Sequence, residues 1–269
     1  MKKLSKKDRF ILAIAGIAIA IALCCQGWYY WPWIGGNVDR WNPKLNVVNS
    51  FETKETSYSF DELAIPNNTG LNTHDICRYF RDIALRIEFG VKKYSISKWD
   101  EPIRLFIPGN PDEEDLAIIQ EICDGMNAVP GFPGISQVTN EEDANLIFGF
   151  FDDAEYNTFE RHYGIKESHG LTIFTFDEPS QRITYVDVGI RNLSDRYEKT
   201  SVIWEEFFQA MGLKNDTLLY SETLFYNGQY NVSKATALDW VLFRILYLPP
   251  VQNDMLYYNC FFLILMYLQ

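Results

Sequence analysis

The chain has 269 residues, with 24 Lys and Arg against 36 Asp and Glu and a formal net charge of -12. Five of the basic residues stand before residue 10, so the chain from residue 11 onward carries 19 basic against 35 acidic groups. That balance argues against nucleic-acid binding, which depends on lysine and arginine neutralising phosphates. Beyond Cys24 and Cys25 only Cys77, Cys123 and Cys260 remain. These exclude a disulfide-built scaffold and leave a Cys77 to Cys123 bridge as one option.

The basic start MKKLSKKDR precedes a stretch without charge from Phe10 to Ile34, in which Phe10 to Cys25 is wholly apolar or glycine. Trp28, Tyr29, Tyr30, Trp31 and Trp33 follow in the manner of an interfacial aromatic belt. The reading is an anchor in which residues 10–33 enter the membrane, the basic flank stays in the cytoplasm, and the main domain lies on the far side. Two other processing routes keep the same sidedness. One is a lipoprotein-type signal acylated at Cys24 or Cys25, for which Leu23 is a bulky predecessor. The other is a cleaved export signal. The chain thus divides into a signal anchor or lipoprotein-type signal at 1–34, a tether at 35–71 rich in Asn, Pro, Gly and Ser, a domain at 72–255 and a hydrophobic tail at 256–269.

Within the domain, Ile76, Phe80, Ile83, Ala84 and Ile87 recur at helical spacing and predict a helix from about His74 to Glu88, with Gly90 as its stop. A strand is expected over Ile103 to Ile107, then a helix from Asp112 to Met126 with acidic residues in its first turn. Strands follow over Asn145 to Phe150, Leu171 to Phe176 and Ile183 to Ile190. The next helix runs from about Thr200 to Met211 with Gly212 at its C-cap. A last one covers Ala235 to Leu248 and carries Asp239 and Arg244. This order predicts an α+β domain, a small curved mixed sheet with its helices packed on one side. The tail NDMLYYNCFFLILMYLQ is too short for a comfortable membrane span. It reads as a buried terminal helix or strand, an interface element, or the product of a disrupted reading frame.

The chemistry concentrates in SVIWEEFFQAMGLKND, residues 201–216. Glu205, Glu206, Gln209, Gly212 and Asn215 fall at the offsets of a HExxHxxGxxH zinc helix, but the three imidazole positions hold Glu205, Gln209 and Asn215. A classical zinc site is therefore not expected. Three readings stay open. In the first, Glu206 or Glu205 is a general base for hydrolysis, with Arg104, Asp216 or a tyrosine as acid or oxyanion partner. In the second, Glu205, Gln209, Asn215 and Asp216 bind a hard cation, calcium or magnesium. In the third, a structural polar core binds peptide or protein without catalysis. The plain alternative is an ordinary amphipathic helix. His162 and His169 read as loop or surface residues and His74 as sitting at a helix start, and Trp99 to Arg104 reads as a packed tryptophan with Arg104 paired to a carboxylate, with substrate anchoring as the alternative. Asn192, Asn215 and Asn231 fit the glycosylation sequon.

Several segments together resemble the DUF2927 family of exported bacterial proteins: ICRYFRDIALRIEFG at 76–90, ISKWDEPIRLFIPG at 96–109, DANLIFGF at 143–150, WEEFFQAMGLKND at 204–216 and TALDWVLFRILY at 236–247. The family looks like a divergent relative of zincin-type metallopeptidases with EExxQ in place of HExxH. That resemblance implies that Glu206 stands at the position of the general base, Glu205, Gln209 and Asn215 at ligand positions, and Gly212 at the turn toward the third ligand. Asp216 and the helix bearing Asp239 resemble recurring features of the family. The sequence departs from the family after Pro249. The resulting expectation is an envelope protein with a zincin-like cleft used for binding a peptide or protein partner or for assembly. An unusual peptidase or hydrolase and a cation-binding structural domain are the alternatives.

Overall fold

The computed structural model describes residues 58–87, 94–166, 168–228 and 231–269. The expected anchor at 10–33, the acylation candidates Cys24 and Cys25, most of the tether and Gly90 lie outside the described residues. Among the described residues no helix is long and apolar enough to cross a membrane. The described part falls in one compact unit, residues 56–269.

Among the described residues six α-helices and five strands form an α+β domain. In chain order they are α1 (Thr73–Ala84), β1 (Ile103–Phe106), α2 (Glu113–Asn127), β2 (Ile135–Gln137), β3 (Leu146–Phe151), α3 (Asp153–Tyr163), β4 (Gly170–Asp177), β5 (Arg182–Arg191), α4 (Arg196–Ala210), α5 (Ala237–Leu246) and α6 (Tyr257–Tyr267). The sheet order is β2-β1-β3-β5-β4. β1 pairs parallel with β2 and β3, β3 pairs parallel with β5, and β4 alone is antiparallel, to β5. β3 reads LIFGFF and is buried along nearly its whole length, as a central parallel strand covered on both faces must be.

The period of two along these strands divides the helices between both faces, which corrects the expectation that they pack on one side. Phe148 on β3 meets Phe207 of α4 at a ring separation of 5.2 Å. On the other face Phe151 meets Phe159 of α3 at 5.6 Å, and Tyr163 donates to Asp187 of β5 at 2.7 Å. Burial pushes the Asp187 carboxyl above its usual range, against the hydrogen bond from Tyr163. α3 was not expected from the sequence, because few of its residues are aliphatic. Its signal was polar: Asp152 and Glu155 form a reciprocal capping box.

α4 runs through the middle of the domain. Val202, Ile203, Trp204, Phe207, Phe208 and Ala210 are all buried, so the helix is apolar around most of its circumference. It begins four residues earlier than the apolar period predicts. Asp195 caps it by accepting from the Glu198 N–H at 3.0 Å, and the first turn is held by an ionic cluster with α2. In that cluster Asp115, fully buried, receives Lys199 at 2.6 Å and Arg196 at 2.7 Å. At the other end Trp99 donates from its indole nitrogen to the Ala210 carbonyl at 2.9 Å. Trp204, Phe208, Trp240, Phe243 and Tyr247 then join α4 to α5 through edge-to-face and tilted contacts.

The start and end of the described chain close on each other. Ile65 bridges Leu268 in parallel, and Phe60 stacks on Tyr267 at 5.1 Å. Leu63 and Ile65 are buried, so residues in the later part of the expected tether contribute to the core. The tail forms the helix α6 against α1, burying Cys260 and Ile264 while Tyr258, Leu265 and Met266 stay exposed. Cys77, Cys123 and Cys260 are all free and buried, which removes the Cys77 to Cys123 bridge. Burial pushes the Cys77 thiol up to about 11 and those of Cys123 and Cys260 up to about 12.

Candidate functional site

The site is built where α4 crosses the edge strand β4. Gly170, at the start of β4, makes this approach close: a methyl group there would stand 2.5 Å from Glu206 Cγ and 2.7 Å from a Val202 methyl. With α4 lying so near, Thr172 donates its hydroxyl to Glu206 Oε2 at 2.5 Å. Glu206 is 6% exposed, so its carboxyl group needs polar partners inside the protein, and the Thr172 hydroxyl is one of them. Gly170→Val is expected to lower stability by about 1–3 kcal/mol by overpacking this contact. A urea melt showing a reduced midpoint at unchanged slope is the check; an unchanged midpoint would mean that α4 and β4 separate freely.

A cavity of about 150 Å³ opens between the two elements. It is lined by residues 170–174 of β4, by Glu206 and Gln209 of α4, by Ile87, and by Lys214 from the turn after α4. That turn requires Gly212, whose φ of +115° lies in the left-handed region and whose missing Cβ would meet the Ser97 carbonyl oxygen at 2.4 Å. The chain then doubles back so that Asp216 faces Gln209, which donates to it at 2.9 Å.

Of the four residues considered as cation ligands, three come together. Glu205 and Gln209 both hydrogen-bond to Asp216. A bond between two carboxyl groups requires a proton on one of them. Burial pushes the Asp216 carboxyl up to about 6, against the bonds from Gln209 and Glu205 that pull it down. Asn215 is turned elsewhere: its amide nitrogen donates to the carbonyls of Asp82 at 2.9 Å and Asp216 at 2.7 Å, tying this turn to α1. The set therefore does not fit a hard-cation cage, because its carboxyl groups bond to each other and its fourth member serves the backbone. Among the described residues no group of three or more His, Cys, Asp or Glu is arranged to hold a metal ion.

The other sequence candidates lie apart from the cleft. Arg104 is exposed on β1, separated from β4 by β3 and β5, and donates to the Asp143 carbonyl at 2.5 Å, so it is no oxyanion partner for Glu206. His74 and His162 are exposed on α1 and α3. His169, just before β4, meets Glu198 at 2.8 Å. Arg244 is exposed on α5, whereas Asp239 is buried. Asp239 caps α5 by accepting from the Thr236 N–H at 2.7 Å and hydroxyl at 2.8 Å, and burial pushes it up to about 6. Thr172 and Lys214 were missed, because neither residue type in a single sequence signals that it will face a carboxylate 34 residues away or a cavity.

The family described as Protein of unknown function (DUF2927) matches residues 73–257. The chain belongs to the DUF2927 family. The match spans α1 through the first residue of α6, and so includes β4, α4 and the turn through Asp216. No curated protein matches the chain.

Proposed function

We propose that this DUF2927 protein is a membrane-tethered, extracytoplasmic protein of the bacterial envelope whose β4–α4 cleft binds an extended segment of a peptide or protein partner. In this reading the domain is a zincin-like scaffold whose polar groups serve binding in place of zinc hydrolysis. The membrane part of the proposal rests on the uncharged, aromatic-flanked segment at 10–33 after a basic start. The observation that carries the binding part is the position of β4. It is one of the two edge strands of the sheet, and residues 170–174 of that strand line the cavity that also contains Glu206, Gln209 and Lys214. Alternate backbone groups on an outer edge point away from the sheet and can pair with an added strand, while its side chains enter neighbouring pockets.

Selection from a displayed random peptide library against the full chain tests this reading. The enriched peptides are expected to protect the backbone amides of residues 170–176 from hydrogen exchange. Protection confined to any other element, or failure to enrich any peptide, would overturn it. A second reading has its own observation, the buried Glu206 carboxylate within the cavity. If the wild-type chain cleaves the selected peptides and Glu206→Gln stops cleavage while leaving the melting transition intact, Glu206 is a general base and the protein is a hydrolase.

A further inference from the structure

Lys214 is a lysine in an unusual setting. It is 5% exposed, and its ammonium group donates to the Ala84 carbonyl at 2.8 Å, at the C-terminal end of α1. An ammonium has three N–H donors, so one protein acceptor leaves capacity for further partners. The other two lysines buried among the described residues are differently served. Lys199 is paired with Asp115 at 2.6 Å. Lys98 donates to the Leu246 carbonyl at 3.0 Å, lies over the Tyr247 ring at 5.4 Å and feels the charge of Asp100. Among the described residues no carboxylate offsets the burial of the Lys214 ammonium, and the residue lines the β4–α4 cavity. Burial alone pulls it down to about 7, which records how costly its charge is without an anion beside it.

We infer that Lys214 anchors a carboxylate in the β4–α4 cleft, either an acidic side chain of the bound peptide or its C-terminal carboxylate. The inference rests on the reading of the cleft as a peptide site. A carboxylate against Lys214 restores the ammonium's charge in a low-dielectric setting where the attraction is strong. The cavity, at about 150 Å³, has room for a group of that size. Water's share of liquid volume is roughly 30 Å³, so the space corresponds to only a few small-molecule heavy atoms. Gln209 lines the same space and has a second amide N–H beyond the one given to Asp216. Glu206 lines the space too, with one of its carboxyl oxygens already taken by the Thr172 hydroxyl at 2.5 Å.

The test is a ¹³C NMR titration of the full chain labelled at lysine Cε, in lipid nanodiscs. Three blocked peptides serve as probes: acetyl-Ala-Glu-Ala-amide, acetyl-Ala-Ala-Ala with a free C-terminus, and acetyl-Ala-Ala-Ala-amide without a carboxylate. Two lysine signals are expected to titrate far below the rest, one lost in Lys214→Met and the other in Lys98→Met. If Lys214→Met fails to fold, Lys98→Met still identifies the remaining signal. Saturation with one of the two acidic probes is expected to raise the Lys214 midpoint by about one unit or more and leave Lys98 in place. Which probe acts distinguishes the side-chain from the terminal carboxylate. An unmoved Lys214 midpoint with both acids, an equal shift with the amide, or an equal shift of Lys98 would overturn the inference. Peptide protection of residues 170–176 without a Lys214 shift would keep the peptide cleft and remove the role of Lys214. A Lys214 shift with sodium acetate, when no peptide protects β4, would keep the carboxylate site and remove the peptide cleft.

Discussion

Asp115→Ala is expected to destabilise the domain by about 3–5 kcal/mol, the range for breaking a buried ion pair from one side. Asp115 is fully buried and accepts from Lys199 at 2.6 Å, from Arg196 at 2.7 Å and from the Asp112 N–H at 2.9 Å. Arg196 is partly exposed and has Asp112 and Glu114 as other partners, both at 3.1 Å, so it adapts to the loss. Lys199 does not. It would be left 5% exposed with Asp112 at 3.9 Å and the Phe150 ring at 5.4 Å, an almost unpaired charge at the start of the helix that carries the cleft. Replacing both partners, Asp115→Ala with Lys199→Met, is expected to recover much of the loss, since the large term is the stranded charge and not the pair itself. Urea denaturation of the wild type, both single variants and the double variant measures this coupling. A single-variant loss below about 1 kcal/mol would show that the cluster behaves as a surface ion pair.

The dependence of stability on pH should fall, then rise, across the neutral range. Asp216 and Asp239 are pushed by burial to about 6 in the folded state. An unfolded aspartate titrates near about 3.9, so between those values the folded state holds more protons and stability declines as pH rises. The lysines act in the opposite sense. Lys98 and Lys214 are pulled to about 7 when folded. Unfolded lysine titrates near about 10.4, so above pH 7 the unfolded state binds more protons and stability increases with pH. The lysine rise is cleanest up to about pH 8.5, where unfolded cysteine begins to ionise. Beyond that point Cys77, Cys123 and Cys260, held protonated by burial, bring the curve down again. Asp112, which is exposed and lowered chiefly by the Asp115 N–H, opposes the acid limb weakly. Denaturant midpoints measured from pH 4 to pH 8.5 at fixed ionic strength should therefore pass through a minimum near pH 6–7. Lys98→Met with Lys214→Met should flatten the limb above pH 7, and a limb unchanged by that pair of substitutions would refute its assignment to the lysines.

Much of the fold was legible in the sequence. The alternation and burial of IRLF, LIFGFF and RITYVDVGIR mark strands because a sheet repeats every two residues, and each of these lies within a residue or two of its expected place. The acidic start of α2 and the apolar period of α1 located those helices for the same kind of local reason. The short β2 and the aromatic α3 escaped, since three residues carry too little period and α3 is held by caps and by Arg191, not by an aliphatic stripe. α4 began earlier than expected because Arg196 and Lys199 look like solvent-facing residues until Asp115, more than 80 positions away, is placed against them.

The sequence alone determined the family, the α+β alternation, the acidic balance and the helix bearing Glu205, Glu206 and Gln209, since all of these are properties of neighbouring residues or of composition. Tertiary structure decided what those side chains do. It divided the helices between two faces of the sheet, brought Thr172 to Glu206, turned Asp216 onto Gln209 and sent Asn215 to the end of α1. It also enclosed Lys214 beside the edge strand. The reason is physical: the helix spacing fixes which residues share a face, whereas partners, burial and the resulting pKa shifts depend on segments that meet only when the chain folds.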